Sequence, residues 1–144
     1  MFDIVVRNRA EAQHYWTERN HAIVSITDPK SESVTFPGQY ATDIKNRFGI
    51  HRTQFFDSDI RHAKFFDKYP PMTEVQATEI WLFVQSVEKE IEELLVHCEA
   101  GVSRSASVAA AISRYLGEND DDWFKFYIPN RYVYRTLIRT MPLR

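Results

Sequence analysis

One stretch of the sequence combines residue types that can hold and attack a tetrahedral oxyanion. The apolar residues 94–96 lead to His97 and Cys98, a five-residue segment containing Gly101 follows, and Arg104 closes it. This order predicts a buried strand, a tight loop and a helix that begins at the arginine. Successive backbone N–H groups of such a loop point inward, and the new helix adds its positive dipole. Because helix N-termini commonly bind phosphate, the segment predicts a cradle for a phosphoryl group.

Two side chains of this cradle are candidates for chemistry. The inward N–H groups and a nearby guanidinium stabilise a thiolate at Cys98, and the thiolate is the nucleophilic form of cysteine. Arg104 can hold two phosphoryl oxygens with a planar fork that lysine lacks. Ser105 can donate a hydrogen bond to the sulfur and ease its departure. The predicted phosphate-binding residues are Cys98, Glu99, Ala100, Gly101, Val102, Ser103 and Arg104.

The alternative interpretation of the pair is a buried structural cysteine beside an unrelated arginine. The surrounding pattern disfavours it, because the preceding strand, His97, Gly101 and the small-residue helix after Arg104 all fit one loop architecture. We expect His97 to order the loop from behind rather than to act as a base, since an ionised thiol needs none.

The segment resembles the signature of the cysteine-dependent protein tyrosine phosphatases, His-Cys-x5-Arg-Ser/Thr. The form His-Cys-Glu-Ala-Gly-Val-Ser-Arg-Ser is most similar to the small dual-specificity enzymes and their bacterial tyrosine-phosphatase relatives. The resemblance is strong over residues 94–116 and extends more weakly to residues 21–29 and 56–60. It implies the family fold and a phosphocysteine intermediate, with no metal or organic cofactor. It implies no particular substrate.

In that family an aspartic acid on a separate loop protonates the departing oxygen, and three residues here are candidates. Asp59 is favoured by its context, because it follows a predicted strand and precedes an apolar residue, as in relatives with a Phe-Asn-Asp-Ile-like segment. Asp67 has the more usual family spacing from the cysteine, although no predicted strand directly precedes it. Asp57 is the third candidate.

The rest of the chain predicts the elements that must position this loop. Residues 2–6, 22–27, 53–56 and 94–97 are rich in β-branched and aromatic residues, and stretches with helical spacing separate them. This alternation predicts an α/β fold, with a mostly parallel central sheet of about four strands covered by helices on both faces. Helices are expected over residues 10–18 and 41–47, after a Thr73–Gln76 capping box, from residues 103–104 to Gly117, and shortly after Gly117.

A last helix is expected to open at Asn130, and its outer side carries a regular series of arginines. Arg131, Arg135 and Arg139 recur every four residues along it. A solvated basic face is the preferred interpretation, and a docking surface for an acidic partner is the alternative.

Length and composition limit the remaining possibilities. The 144 residues make one ordinary domain, so residues 1–144 are interpreted as a single phosphatase domain. A formal charge of −2 gives no general electrostatic basis for binding nucleic acid or a membrane surface. The single cysteine excludes an intramolecular disulfide and a cysteine-rich metal site, and the other histidines lack metal-ligand spacing. A reduced thiol without a recognisable targeting segment predicts a cytoplasmic protein.

These features together predict a phosphatase that hydrolyses phosphotyrosine in proteins, with phosphoserine and phosphothreonine as further candidates. A rhodanese-like sulfurtransferase and a lipid or RNA 5′-phosphatase share the cysteine cradle, and a non-catalytic phosphate-binding module is the non-enzymatic alternative. Ser105 disfavours the sulfurtransferase, and Glu99 in place of a lysine disfavours polyphosphorylated substrates. The expected partner is a phosphorylated protein substrate, and the sequence leaves the oligomeric state open.

Overall fold

Four parallel strands form the centre of the computed structural model, which describes residues 1–38 and 44–144. They are β1 (Asp3–Arg7), β2 (His21–Thr27), β3 (Arg47–Gln54) and β4 (Glu93–His97). Their order in the sheet is β1-β4-β2-β3, and every pairing is parallel. The α/β fold class with a central parallel sheet of four strands is therefore confirmed.

Five α-helices and one 3₁₀ helix connect and cover these strands in the described residues. They are α1 (Arg9–Ala12), the 3₁₀ helix (Ile60–Phe65), α2 (Glu74–Val87), α3 (Arg104–Tyr115), α4 (Asp121–Phe126) and α5 (Arg131–Thr140). None of the helices in residues 1–38 and 44–144 has the length and apolar character that crossing a membrane requires.

The sheet has a fully built helical layer on one face and a thinner cover on the other. Helices α2, α3 and α5 bury their apolar sides against β2 and β4 on the first face. The second face is covered by Ala12 of the four-residue α1 together with Val34 and Phe36 of the loop that follows β2. Helices thus lie on both faces, as predicted, but a loop does most of the covering on one of them.

Strands β2 and β4 are buried along their whole length, because each lies between two neighbours and under both layers. The carboxyl ends of parallel strands meet at one edge of the sheet. Asp28 follows β2, Phe55 follows β3 and Cys98 follows β4. These three residues therefore emerge side by side, and this edge is where the loop 98–103 lies.

Predicted helix boundaries agree with the structure where capping chemistry defines them. The backbone N–H of Gln76 donates to Thr73 Oγ1 (3.1 Å), and Thr73 N–H donates to Gln76 Oε1 (3.0 Å), which completes the capping box of α2. The side chain of Asn130 caps α5 by accepting from Val133 N–H (3.0 Å). Gly117 lies beyond the end of α3 with φ +79°, a left-handed conformation that suits glycine.

Two predicted elements have different bounds, and one lies partly outside the described residues. The first helix was expected over residues 10–18 but ends at Ala12, because Ala12 is its one buried side chain and Trp16 is exposed, so no apolar stripe holds a longer helix. Strand β3 begins at Arg47 instead of residue 53, since an edge strand does not need a continuous apolar run. The predicted helix at residues 41–47 falls partly on residues 39–43, which lie outside the described residues, and Arg47 belongs to β3.

Candidate active site

The loop after β4 curls over the sulfur of Cys98. The side chain is only 2% exposed, and the N–H of Gly101 donates to Sγ at 3.2 Å. The hydroxyl of Ser105, in the first turn of α3, lies 3.2 Å from the same sulfur. Gly101 has φ +73°, and an added Cβ would lie 2.7 Å from the backbone nitrogen of Asn8. Only glycine fits this turn, because both the dihedral angle and the close approach exclude a side chain.

The backbone carbonyls of the loop are turned outward. Glu99 O accepts from Arg9 N–H (3.1 Å), Val102 O from Ile128 N–H (3.0 Å) and Ser103 O from Asn130 N–H (3.3 Å). In a trans peptide the C=O and the following N–H point in opposite directions. The N–H groups that follow these three carbonyls therefore point away from these contacts, towards the inside of the loop.

Arg104 closes the cradle and is held rigidly from behind. Its Nη1 donates to Asp28 Oδ1 (2.7 Å) and to the carbonyl of Phe55 (2.6 Å), so both neighbouring strand ends fix it. The residue is 4% exposed, and its Nε has no hydrogen-bond partner within residues 1–38 and 44–144. A buried N–H without a partner is costly, about 1–3 kcal/mol, unless a ligand satisfies it. The Nε edge of the guanidinium is thus available for an oxyanion.

His97 stabilises the loop from inside the core. Its Nδ1 lies 3.2 Å from the carbonyl of Cys98, and its Nε2 lies 2.6 Å from Ser25 Oγ. Since a carbonyl only accepts, Nδ1 carries the proton and Nε2 accepts from the serine hydroxyl. Burial lowers the pKa of His97 below its ordinary value, which keeps the ring neutral in this arrangement. This is the ordering role expected for it.

The three candidate acids have different surroundings. Asp57 reaches the loop, since its Oδ1 accepts from Ser103 Oγ (2.8 Å) and from Asn130 Nδ2 (2.8 Å). Asp59 instead caps the 3₁₀ helix, with its Oδ1 accepting from the backbone N–H groups of Ile60 (2.7 Å) and Tyr132 (3.0 Å). Asp67 is exposed in the turn after that helix. The structure therefore connects Asp57 directly with the loop.

An aromatic cleft opens beside Arg104. It has a volume of about 470 Å³ and is lined by Asp28, Phe56, Asp57, Ser58, His62, Phe65, Tyr69 and Arg104. The rings of Phe56 and Tyr69 meet edge to face with their centroids 5.3 Å apart. Aromatic rings of this kind can contact a planar aryl group.

Two further residues contact the site: Asp28 was not assigned from the sequence, and Asn130 was expected mainly as the cap of the last helix. Asp28 pairs with Arg104, and Asn130 donates to Asp57 while also capping α5. A signal for Asp28 was present, because it directly follows a strand at the same edge as Cys98. The contact of Asn130 joins residues 73 positions apart, and no local pattern encodes it.

Comparison with solved structures gives similar chains at low sequence identity. The structure of Tk-PTP in the active form is 15% identical, with a TM-score of 0.49, over 96% of this chain and 78% of that chain. A human tyrosine phosphatase-like serine/threonine/tyrosine-interacting protein is 21% identical, with a TM-score of 0.46, over 83% of this chain and 74% of that chain. No protein-family model matches the chain, and no curated protein matches it by sequence.

Proposed function

We propose that the protein is a phosphoric monoester hydrolase that removes phosphate from phosphotyrosine in proteins through a phosphocysteine intermediate. One observation carries this proposal. The sulfur of Cys98 lies under a loop whose N–H groups face inward, beside a guanidinium of Arg104 whose buried Nε has no partner in the described part of the chain. This arrangement can bind a tetrahedral dianion directly above a nucleophile.

In the first step the Cys98 thiolate attacks phosphorus. The S–P bond forms with the sulfur electron pair while the P–O bond to the tyrosine oxygen breaks. The inward N–H groups and Arg104 hold the equatorial oxygens, on which charge is spread in the transition state. The departing phenolate oxygen takes a proton from an aspartic acid.

We assign this proton to Asp57. Its contacts with Ser103 and Asn130 hold it at the rim of the cradle, and both use Oδ1, so Oδ2 is the oxygen that can carry the proton. Asp59, which local sequence context favoured, uses its Oδ1 to cap the 3₁₀ helix and is the second candidate. Asp67 is the third.

The second step hydrolyses the phosphocysteine. Asp57, now a carboxylate, removes a proton from water as the water oxygen attacks phosphorus and the P–S bond breaks. Ser105 Oγ, 3.2 Å from the sulfur, donates a hydrogen bond to the departing thiolate. The products are inorganic phosphate and free enzyme, so one residue serves as acid and then as base.

The aromatic cleft supports phosphotyrosine as the substrate. The rings of Phe56, Phe65 and Tyr69 line the cleft and can contact a phenyl group. Phosphoserine and phosphothreonine have no ring that could pack against them. An aryl phosphate is therefore preferred over an alkyl phosphate.

A panel of substrates tests the proposal. Matched phosphotyrosine and phosphoserine peptides are assayed beside a phosphoinositide, an RNA 5′-phosphate and thiosulfate, with Cys98→Ser as the inactive control. The phosphotyrosine peptide should be hydrolysed with the highest kcat/KM. Faster turnover of the lipid or the RNA, or sulfur transfer from thiosulfate, would contradict the assignment.

A further inference from the structure

We propose that His62 is a positioning residue, which fixes the peptide between Ser58 and Asp59 and thereby holds Asp57 at the rim of the cradle. A proton on Nδ1 of His62 releases that peptide, so the same side chain makes proton transfer to the leaving oxygen sensitive to pH. This inference rests on the proposed function, because it concerns the step in which Asp57 acts as the acid.

The peptide between Ser58 and Asp59 is held at both of its edges. The Ser58 carbonyl accepts from Asn130 Nδ2 at 3.0 Å, and the N–H of Asp59 donates to His62 Nδ1 at 3.1 Å. Because the C=O and the N–H of one trans peptide point in opposite directions, Asn130 and His62 hold the peptide plane from opposite sides. Loss of the His62 contact leaves one edge unsupported, and the plane can then rotate.

Asp57 depends on the orientation of this peptide through Asn130. The same Nδ2 atom donates to Asp57 Oδ1 at 2.8 Å and to the Ser58 carbonyl, so the two acceptors together place the amide group. When the peptide rotates, the carbonyl leaves Nδ2 and the contact with Asp57 is weakened. The hydroxyl of Ser58 donates to the carbonyl of Tyr69 at 2.6 Å, which favours a local rotation over unfolding of the segment.

His62 is bound to Asp59 by both its backbone and its ring. Its N–H donates to the Asp59 carbonyl at 2.8 Å, and its Nδ1 accepts from the Asp59 N–H. Since a backbone N–H only donates, Nδ1 carries no proton, and the neutral ring has its proton on Nε2. A second proton can enter only at Nδ1, where it faces the N–H of Asp59. The contact therefore exists only while His62 is neutral.

The surroundings of His62 allow it to take up a proton from water. The residue is half-buried, and it lines the aromatic cleft and the adjoining space beside α5. Histidine is the side chain whose charge ordinarily changes between pH 5 and 8. The acidic groups that line the same two spaces are Asp28, Asp57, Asp59 and the phenol of Tyr69. The cationic groups are Arg61, Arg104, Arg131 and Arg135. All of them remain when His62 is replaced, so a substitution isolates the contribution of His62.

Three substitutions test the contact. His62→Leu removes the acceptor, whereas His62→Gln keeps one, because glutamine at the third position of a capping box accepts from the N–H of the capping residue. His14→Leu is the matched control, since it removes an exposed imidazole that lines neither space. For each protein, kcat is measured with a phosphotyrosine peptide and with 4-nitrophenyl phosphate, and the ratio of the two is compared. A ratio taken within one variant cancels any loss of folded protein.

The ratio should respond to the contact and not to the imidazole as such. In His62→Leu it should decrease about ten-fold, the loss expected from one hydrogen bond, because only the phosphotyrosine leaving group needs the proton. His62→Gln should restore most of it, and His14→Leu should keep the wild-type value. A purely structural role of His62 would lower both rates together and leave the ratio unchanged, which would overturn the inference, as would equal losses in the leucine and glutamine variants.

A double variant connects the effect with Asp57. His62→Leu combined with Asp57→Asn should have the same ratio as Asp57→Asn alone, because the acid that His62 positions is already absent. A further decrease of the ratio in the double variant would show that His62 acts by another route and contradicts the inference.

The pH dependence provides an independent measurement. Between pH 8 and 5.5 the wild-type ratio should decrease relative to that of His62→Gln, because glutamine takes up no proton. Parallel profiles of the two proteins contradict the release of the peptide by protonation. Failure of this inference is distinguishable from failure of the proposed function. A wild-type protein that hydrolyses both substrates, with a ratio indifferent to His62, contradicts only the positioning role, whereas a protein that hydrolyses neither contradicts the proposed function itself.

Discussion

The replacement Asp57→Asn separates proton donation from every other role of this side chain. Asparagine keeps the Oδ1 acceptor, so the hydrogen bonds from Ser103 and Asn130 can persist and the rim of the cradle stays in place. The amide has no acidic proton to give. The variant should therefore fold normally and bind phosphate normally while failing to protonate the leaving oxygen.

The size of the effect depends on the leaving group. General acid catalysis contributes about 10²–10⁴-fold, or about 2.7–5.4 kcal/mol at 1.36 kcal/mol for each factor of ten. A phosphotyrosine peptide has a phenolate leaving group that needs the proton, so its kcat should decrease by a factor in that range. A nitrophenolate departs with little help, and 4-nitrophenyl phosphate should lose much less.

The assay measures kcat for both substrates between pH 5 and 9, with Asp59→Asn and Asp67→Asn as matched controls. Loss of the acid should also remove the basic limb of the bell-shaped profile, because that limb reports the acid losing its proton. Asparagine is as good a helix cap as aspartate, so Asp59→Asn should cost little stability. If Asp59→Asn shows the dependence on leaving group and Asp57→Asn does not, the assignment from the Ser103 contact is wrong.

The remaining predictions concern the loop and its support. Cys98→Ser should abolish turnover but retain phosphate binding, measured by calorimetry; residual turnover near the wild-type rate contradicts the phosphocysteine. Arg104→Lys should lose most activity, because the guanidinium binds Asp28 and Phe55 through Nη1 and can bind phosphate through Nε, and a single ammonium cannot do both. Near-normal kinetics would refute this. Gly101→Ala should abolish turnover and lower the melting temperature of the protein, because the added Cβ would clash with the backbone of Asn8 at 2.7 Å. An active variant with an unchanged melting temperature would contradict this. Stability should decrease as the pH falls below about 6.5, because burial lowers the pKa of His97 and its protonation favours the unfolded chain; urea denaturation midpoints that are equal at pH 7.5 and 5.5 would contradict this.

Local chemistry explains how much of the molecule could be predicted from its sequence. The strand-loop-helix around Cys98, the capping box at Thr73 and the cap at Asn130 were predictable, because each depends on residues within a few positions of one another. Strand β3 was recognised only at its end, since its edge position permits Gly49 and charged residues that no apolar pattern reveals.

Contacts between distant segments were not predictable from one sequence. Whether Asp57 or Asp59 approaches the cradle depends on which one meets Ser103 and Asn130, and these partners lie more than 40 residues away. The arginine series of α5 was visible, but its position beside the loop 98–103 is decided by the packing of α5 against α2 and α3. Sequence spacing favoured a solvated face, and Arg131, Arg135 and Arg139 are all exposed in the structure.

The close approach of Gly101 to the backbone of Arg7 and Asn8 has a consequence for the order of events in folding. Strand β1 pairs with β4, and Asp3 lies opposite Glu93. These two strands are far apart in the sequence, and they must pair before the backbone of Arg7 and Asn8 can lie against Gly101. Contacts between residues so far apart in sequence form slowly, because the entropy of closing the intervening loop is lost before the contacts can stabilise the structure. During synthesis or refolding, activity should therefore appear only after β1 has paired with β4, and its return would report the completion of folding.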